Sequence, residues 1–416
     1  MNAFIRSLRN LGSHEDARET SLIAGSQIIV ILLGLANSAL LARLLSVDEF
    51  GHYHYLLTLF AIAAAFGLPG MGHPILKSTL KNYDKFYWIA TKRSLLVANF
   101  VALLLFIVGT IGYWEEYIPK ENALLMLLVA AAMPVSGIQN YESVFIGKLD
   151  FKTSRLLQML SSALLLVATC LFGWIFESGT YTYIAYIIVR FMIAIYAFIL
   201  LRRQLVTCTP NPDFESELLA QGWRQTALTF FILVASRLDR IVLGSMNPAL
   251  LAQYHIGTII PLAIKNNSKV LMGVLASRWG KLDAEANSKA LKRNAIKLIV
   301  AGLSAFALTA ASLFIIIPVI FGSKYQESIL IGIIFSLSLI PSFWNYMRGL
   351  EDQIQGNGLS NQAAQVVRHI VQFIAVIGLA PYGILWIALT PVIADLAFAA
   401  ASFWMPVQSK AGKAQS

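Results

Sequence analysis

Two pairs of basic residues stand inside apolar stretches of this chain, where charge is expensive. Arg237 and Arg240 are three residues apart and share one helix face, as do Lys265 and Lys269 at a spacing of four. Arg190 is a fifth such cation. Each costs at least about 2.5–3.5 kcal/mol at mid-membrane on insertion scales. Asp239 points away from its arginine neighbours and suits a partner on an adjacent helix. Asp395 and Glu142 are further intramembrane acids, so all three are candidate coupling or structural carboxylates. A hydrated cationic cavity that binds an anion uses Arg237, Arg240, Lys265, Lys269 and Arg190, with Arg43 near the first outside turn. The competing reading is interhelical pairing of Arg237 with Asp239 or Asp395, with Lys269 snorkelling to the surface. Cations outnumber acids here, so complete internal pairing is not expected, and Asp239 and Asp395 are expected chiefly as structural partners.

Other reactive arrangements are weaker. His14, His52, His54, His73, His255 and His369 have no metal-ligand spacing. There is no Gly-x-x-x-x-Gly-Lys-Ser/Thr loop, so neither a cofactor nor intrinsic ATP use is expected. Ser46-Val47-Asp48-Glu49 brings two acids into an outside turn, as a membrane glycosyltransferase would. A helix cap, with Ser46 as N-cap and Glu49 at the third helical position, explains it better. Gly67, Pro69 and Gly70 interrupt the second apolar stretch and form a candidate hinge. Pro134, Pro261, Pro341 and Pro391 fall inside other stretches, where proline is tolerated.

The elements that position these residues must be membrane helices. The chain has 416 residues, 57% of them hydrophobic and 13% charged, with a mean hydropathy of +0.67. That is about half the charge of a soluble domain. Spans of roughly 20 apolar residues are expected at 20–43, 52–75, 88–113, 122–145, 156–176, 180–201, 222–245, 251–276, 295–321, 328–348, 364–380 and 382–404. With the N-terminus inside, lysine and arginine fall on inside loops over outside turns by roughly seven to one, Arg348 and Arg368 counted inside. Both termini are therefore expected to be cytoplasmic, and the net charge of +10 needs no nucleic acid to explain it. The outside turns are too short for an extracytoplasmic domain. Residues 277–297 read as an amphipathic surface helix through Leu282, Ala286 and Leu291. The prolines and acids at 207–217 mark a linker. The chain is thus divided into 1–205, a cytoplasmic linker 206–221, 222–404 and a cytoplasmic tail 405–416. His52-Tyr53-His54 and Gln253-Tyr254-His255 stand about half a chain apart, as in parallel repeats. Cys170 and Cys208, one in a span and one in an inside loop, are not expected to pair, and no cleaved signal peptide is read at the start.

Three stretches carry a family resemblance. Ala42-Arg43-Leu44-Leu45 with the acidic turn and Phe50-Gly51-His52-Tyr53, then Leu238-Asp239-Arg240-Ile241-Val242-Leu243-Gly244 with Tyr254, and Phe321-Gly322-Ser323-Lys324-Tyr325 resemble patterns of the bacterial oligosaccharide flippases. These are polysaccharide-biosynthesis transporters of the multidrug, oligosaccharidyl-lipid and polysaccharide exporter superfamily. The resemblance implies an all-α protein of about twelve spans, in two six-helix lobes around a central cavity, in the bacterial inner membrane. It implies, as cargo, a polyprenyl-pyrophosphate-linked oligosaccharide for O-antigen, capsule or exopolysaccharide. The cargo would pass from the cytoplasmic to the periplasmic leaflet by alternating access. A polymerase and a chain-length regulator are the partners it suggests. The short C-terminal segment is expected to set the chain apart from lipid II flippases. A proton- or sodium-coupled drug antiporter is the alternative within the class. A membrane glycosyltransferase or polysaccharide polymerase is the alternative outside it, and a non-transporting scaffold is a third.

Overall fold

The computed structural model describes residues 14–115, 119–205, 211–279, 284–354 and 358–404. The expected tail 405–416, and Cys208 in the expected linker, lie outside the described residues. Every regular element is helical among those described. In order they are α1 (His14–Leu44), α2 (Val47–Ala63), α3 (Gly72–Leu80), α4 (Lys85–Trp114), α5 (Lys120–Ile138), α6 (Tyr141–Gly147), α7 (Phe151–Phe176) and α8 (Gly179–Gln204). Then come α9 (Pro212–Met246), α10 (Pro248–Trp279), α11 (Ala284–Ile316), α12 (Ser328–Ser336), α13 (Leu339–Ile354), α14 (Gly358–Leu379) and α15 (Ile384–Trp404).

Nine described helices are long and apolar enough to cross a bilayer, and α2 with α3 forms a tenth, bent by 54°. α9 and α10 have 35 and 32 residues, ample for a span, but they are more polar and are not among these. The apolar surface supports a lipid environment. In α4 only 17% of the most apolar stretch is buried, while Leu96, Phe100, Leu103 and Phe106 are exposed. Water would oppose such a surface; hydrocarbon does not. The protein is a multi-pass membrane protein.

The chain divides into two units. Unit 1 comprises residues 1–49 and 55–233, and unit 2 comprises 50–54 and 234–416. In unit 1, α4 packs on α5, α1 and α8 pack on α7, and α3 packs on α6. Met71, Ile75, Phe86, Tyr87, Val144 and Phe145 belong to a buried hydrophobic cluster there. In unit 2, α14 packs on α15, α11 on α13, and α10 on α12 and α13.

Two expected connections are helical instead. Residues 212–221 open α9, because the residues that suggested a linker are helix-start signals. Asn211 Oδ1 accepts the Phe214 N–H at 3.2 Å, Pro212 begins the helix, and Asp213 and Glu215 fill its first turn. Glu215 then accepts the Tyr83 hydroxyl and pairs with Lys85 at 3.1 Å, and Glu217 pairs with Lys77 at 2.9 Å. The Tyr83 hydrogen bond, and then Lys85, hold the Glu215 carboxyl below its usual range. Burial, and then the same hydrogen bond, push the Tyr83 phenol up. Likewise residues 284–297 are no separate surface helix but the first part of α11, which runs unbroken to Ile316. The side chains of Ala286 and Leu291, and residue 282 altogether, lie outside the described part.

Turns end where their chemistry dictates. Ser46 Oγ accepts the Glu49 N–H at 3.1 Å, which is the expected cap. The Glu49 carboxylate does not close the box; it accepts the Gly179 N–H at the start of α8, at 2.6 Å. α14 and α15 are joined by one tight turn at Ala380–Tyr382, followed by Gly383 at φ 100°, a backbone angle that needs glycine. In the break between α2 and α3 the left-handed residue is Leu68, at φ 56°. Gly67 and Gly70 serve close approach. A Cβ on Gly67 would lie 2.5 Å from Ser136 Oγ, and one on Gly70 would lie 2.2 Å from the Thr226 backbone nitrogen.

Candidate functional site

Among the described residues, a concentration of buried charge lies in unit 2, where three helices meet around one carboxylate. Asp395 of α15 accepts the Lys265 ammonium from α10 and pairs with the Arg368 Nε from α14 at 2.8 Å. Asp395 is 2% exposed and Lys265 6%. A serine and an asparagine complete the polar shell. Lys265 Nζ lies 3.4 Å from Ser338 Oγ, and Asn345 Nδ2 of α13 donates to the Asp395 carbonyl at 3.0 Å. A small cavity of about 30 Å³ opens between Lys265, Asn345, Tyr346, Arg368 and Asp395. That volume admits water rather than a sugar.

This arrangement revises the expected site. Lys265 is in place but carries a carboxylate partner. Arg368, counted among the inside charges, lies on α14 within the apolar stretch Ala363–Tyr382, in keeping with the expected span 364–380. Hydropathy along the chain could not reveal its partner, Asp395, 27 residues later. Arg348, the last residue of the expected span 328–348, is also buried, at 7% exposure.

On α9, Arg237 and Arg240 are half-buried and Asp239 is buried. The Asp239 carboxylate does turn to a neighbouring helix, where it accepts the Tyr254 hydroxyl of α10. It also caps the Arg240 N–H at 2.8 Å. Arg237 and Arg240 lie within electrostatic reach of a buried histidine pair, His54 and His255, whose rings stack at 3.6 Å. Phe50 packs edge-on against both histidines and against Tyr325. Gly51 is needed there, since a Cβ would lie 1.8 Å from the Pro248 carbonyl oxygen. The Phe-Gly motif at 50–51 thus serves packing inside unit 2, whereas Gly322 supplies a backbone angle of φ 100° that favours glycine.

Unit 1 holds a second, looser polar group. Arg190 Nε of α8 donates to the Tyr186 hydroxyl at 3.2 Å and lies within electrostatic reach of Tyr141 and Glu142. Glu142 of α6 accepts from Gln158 of α7, and Gln158 accepts from Arg155 at 2.7 Å. Arg155, expected in a loop, is therefore part of a helical polar cluster. Arg43 is exposed at the end of α1. The Lys269 side chain lies outside the described residues. No group of three metal-ligating side chains occurs among the described residues, and Cys170 is a free thiol.

The fold has solved counterparts. The lipid II flippase MurJ, in an inward closed conformation, superimposes with a TM-score of 0.74 at 14% identity, over 92% of this chain and 86% of that one. An inward-facing multidrug resistance MATE family transporter of the MOP superfamily gives 0.62 at 14% identity, over 90% and 93%. A MOP superfamily transporter from Pyrococcus furiosus Vc1, described as having a binding pocket of reverse polarity, gives 0.58 at 14% identity, over 91% of each chain. At such identities the likeness establishes the fold. No curated protein sequence matches the chain. The family model for polysaccharide biosynthesis proteins matches residues 17–258, more than half of the sequence, and the chain belongs to that family.

Proposed function

We propose that this protein is a flippase for a polyprenyl-pyrophosphate-linked oligosaccharide, moved from the cytoplasmic to the periplasmic leaflet of a bacterial inner membrane. The observation that carries this reading is a buried carboxylate held by two intramembrane cations, Lys265 and Arg368, in a polysaccharide biosynthesis protein with a flippase-like fold. A pyrophosphate is the part of such a cargo that intramembrane arginine and lysine bind best. Arg237, Arg240 and Lys265 are the anchoring residues. The sugar passes through a wet cavity while the lipid stays in the bilayer, by alternating access of two lobes. The break at 67–70 is the hinge we assign to that motion. The bias of lysine and arginine supports an orientation with both termini in the cytoplasm. A polymerase and a chain-length regulator are the partners that would use the product.

A proton- or sodium-coupled antiporter is the second reading, favoured by the buried Asp395, which is the kind of acid such carriers use. The two separate in a strain deleted for this gene, complemented with wild type or Arg240→Ala and scored for surface polysaccharide, with membrane expression confirmed. The flippase reading expects polymer with wild type and little with Arg240→Ala. Unchanged polymer after deletion contradicts it and favours the antiporter.

A further inference from the structure

We propose that His255 binds the cargo beside Arg240, its imidazole N–H and the guanidinium together holding a non-bridging phosphoryl oxygen of the pyrophosphate. The inference rests on the flippase reading and adds a ring donor to it. Three observations carry it, all inside unit 2. First, Arg240 Nε and His255 Nε2 are buried, and neither has a hydrogen-bond partner among the described residues. Buried polar atoms are rarely orphaned, so two in one place mark a ligand or water that would satisfy them. The carboxylate next in sequence does not serve the guanidinium. Asp239 accepts the Arg240 backbone N–H at 2.8 Å and the Tyr254 hydroxyl instead. Second, the chain turns at Asn247, between α9 and α10, and the bond from Tyr254 to Asp239 sets the register of the two helices. Asp239 and His255 stand eight residues either side of that turn, and Arg240 and Tyr254 seven. Arg240 and His255 therefore flank the bond at one depth, with the guanidinium in electrostatic reach of the ring. Third, the ring is held in place. His255 stacks on His54 at 3.6 Å and meets Phe50 edge-on, with ring centres 5.9 Å apart. A donor fixed by packing loses little freedom when it binds.

The chemistry suits a doubly esterified pyrophosphate. Such a group offers acceptors and no donor, an arginine side chain has donors only, and an imidazole supplies an N–H in either tautomer. The pair thus presents donors from two helices to one anionic oxygen. Both orphaned atoms are closed off in this state, so the oxygen meets them as the site opens in the alternating-access cycle. No covalent bond forms or breaks. His255 and Lys265 are ten residues apart, about 15 Å along α10, so this subsite is separate from the Asp395 cluster.

The test uses the full chain in lipid nanodiscs, with calorimetry as readout and empty nanodiscs as blank. The probe is a farnesyl-pyrophosphate-linked monosaccharide. The control is the farnesyl glycoside of the same sugar, which lacks the pyrophosphate. His255→Phe keeps the packing and removes the donor. It should bind the probe about tenfold less tightly than wild type, and the glycoside equally well. In an Arg240→Gln background the same change should cost less, because both residues act on one ligand. A full loss there puts the two at separate sites and overturns the proposal. Equal binding of the probe by wild type and His255→Phe overturns it too, leaving the ring a packing element beside ordered water. So does an equal loss for the glycoside, since the ring then meets sugar or lipid, and so does absence of binding by wild type. Should His255→Phe fail to fold, magnetic resonance spectra of wild type labelled in its histidine rings decide. The probe should shift imidazole signals that the glycoside leaves in place, and no shift overturns the proposal. Where surface polymer depends on the wild-type gene yet His255→Phe binds the probe normally, this residue is wrong and the flippase reading stands. Where deletion leaves polymer unchanged, the flippase reading is what fails.

Discussion

The imidazole rings of His54 and His255 stack 3.6 Å apart and within 25° of parallel. They occupy matching places in two short sequence patterns, each after a tyrosine, Tyr53 or Tyr254, that is almost wholly buried. Phe50 walls the pair on one side, and Arg237 and Arg240 lie within electrostatic reach. A second aromatic ring preserves this packing, whereas a fixed positive charge would be buried facing the two arginines. His255→Phe is therefore expected to fold with wild-type yield, and His255→Lys to lose about 3 kcal/mol or more. Melting temperatures of the two variants in detergent check this.

The start of α9 offers a test by pH. Glu215 is held below its usual carboxyl range by the Tyr83 hydroxyl and Lys85, so its contribution to stability is present above the unfolded carboxyl value and fades as acid protonates it. The Glu215 side chain is 19% exposed and its partner Lys85 37%, so Glu215→Gln should cost about 1–2 kcal/mol at pH 7. The difference between wild type and Glu215→Gln should persist down to the ordinary carboxyl range and shrink towards zero only as the pH falls below about 4. Thermal unfolding of both proteins across pH 3 to 8 measures it.

The break between α2 and α3 depends on close contact rather than on glycine's freedom to turn. Gly70→Ala places a methyl against the Thr226 backbone nitrogen, which cannot move aside as a side chain tip would. It should cost about 2 kcal/mol or more. Gly378 on α14 faces open space, with no described atom within 4 Å of where a Cβ would stand. Gly378→Ala should therefore be neutral or stabilise by up to about 1 kcal/mol. The two melting temperatures should move in opposite directions.

Asp239 depends on a neighbouring helix for its hydrogen bond. Tyr254→Phe removes the hydroxyl donor and leaves a carboxylate that is 4% exposed. A loss of about 1.5–3 kcal/mol is expected, as for a hydrogen bond to a charged group. Asp239→Asn together with Tyr254→Phe should cost less than the sum of the single changes, because the pair acts as a unit. Chemical denaturation of the three variants measures the difference.

What could be read from the sequence follows from its range. Apolar runs of membrane length are local, so the spans were legible. So were the Ser46 cap, the break at 67–74 and the outward turn of Asp239 towards a neighbouring helix. Pairing across the fold is not local. Arg368 falls inside the expected span 364–380, near the polar residues Ser360, Asn361 and Gln362, and only packing against α15 shows the carboxylate that it meets. The prolines and acids at 207–217 were ambiguous for another reason: the same residue types end a linker and begin a helix. The two Phe-Gly patterns marked the family, but nothing in their spacing disclosed that Phe50 would meet Tyr325.

The central claim is transport of a lipid-linked saccharide, and reconstitution tests it most directly. Vesicles carrying the purified protein would be loaded with a polyprenyl-pyrophosphate-linked oligosaccharide, and its exposure to an added glycosidase followed over time. The account predicts that the protected fraction becomes accessible with wild type and far more slowly with Arg240→Ala. Accessibility no faster with wild type than in protein-free vesicles would contradict it.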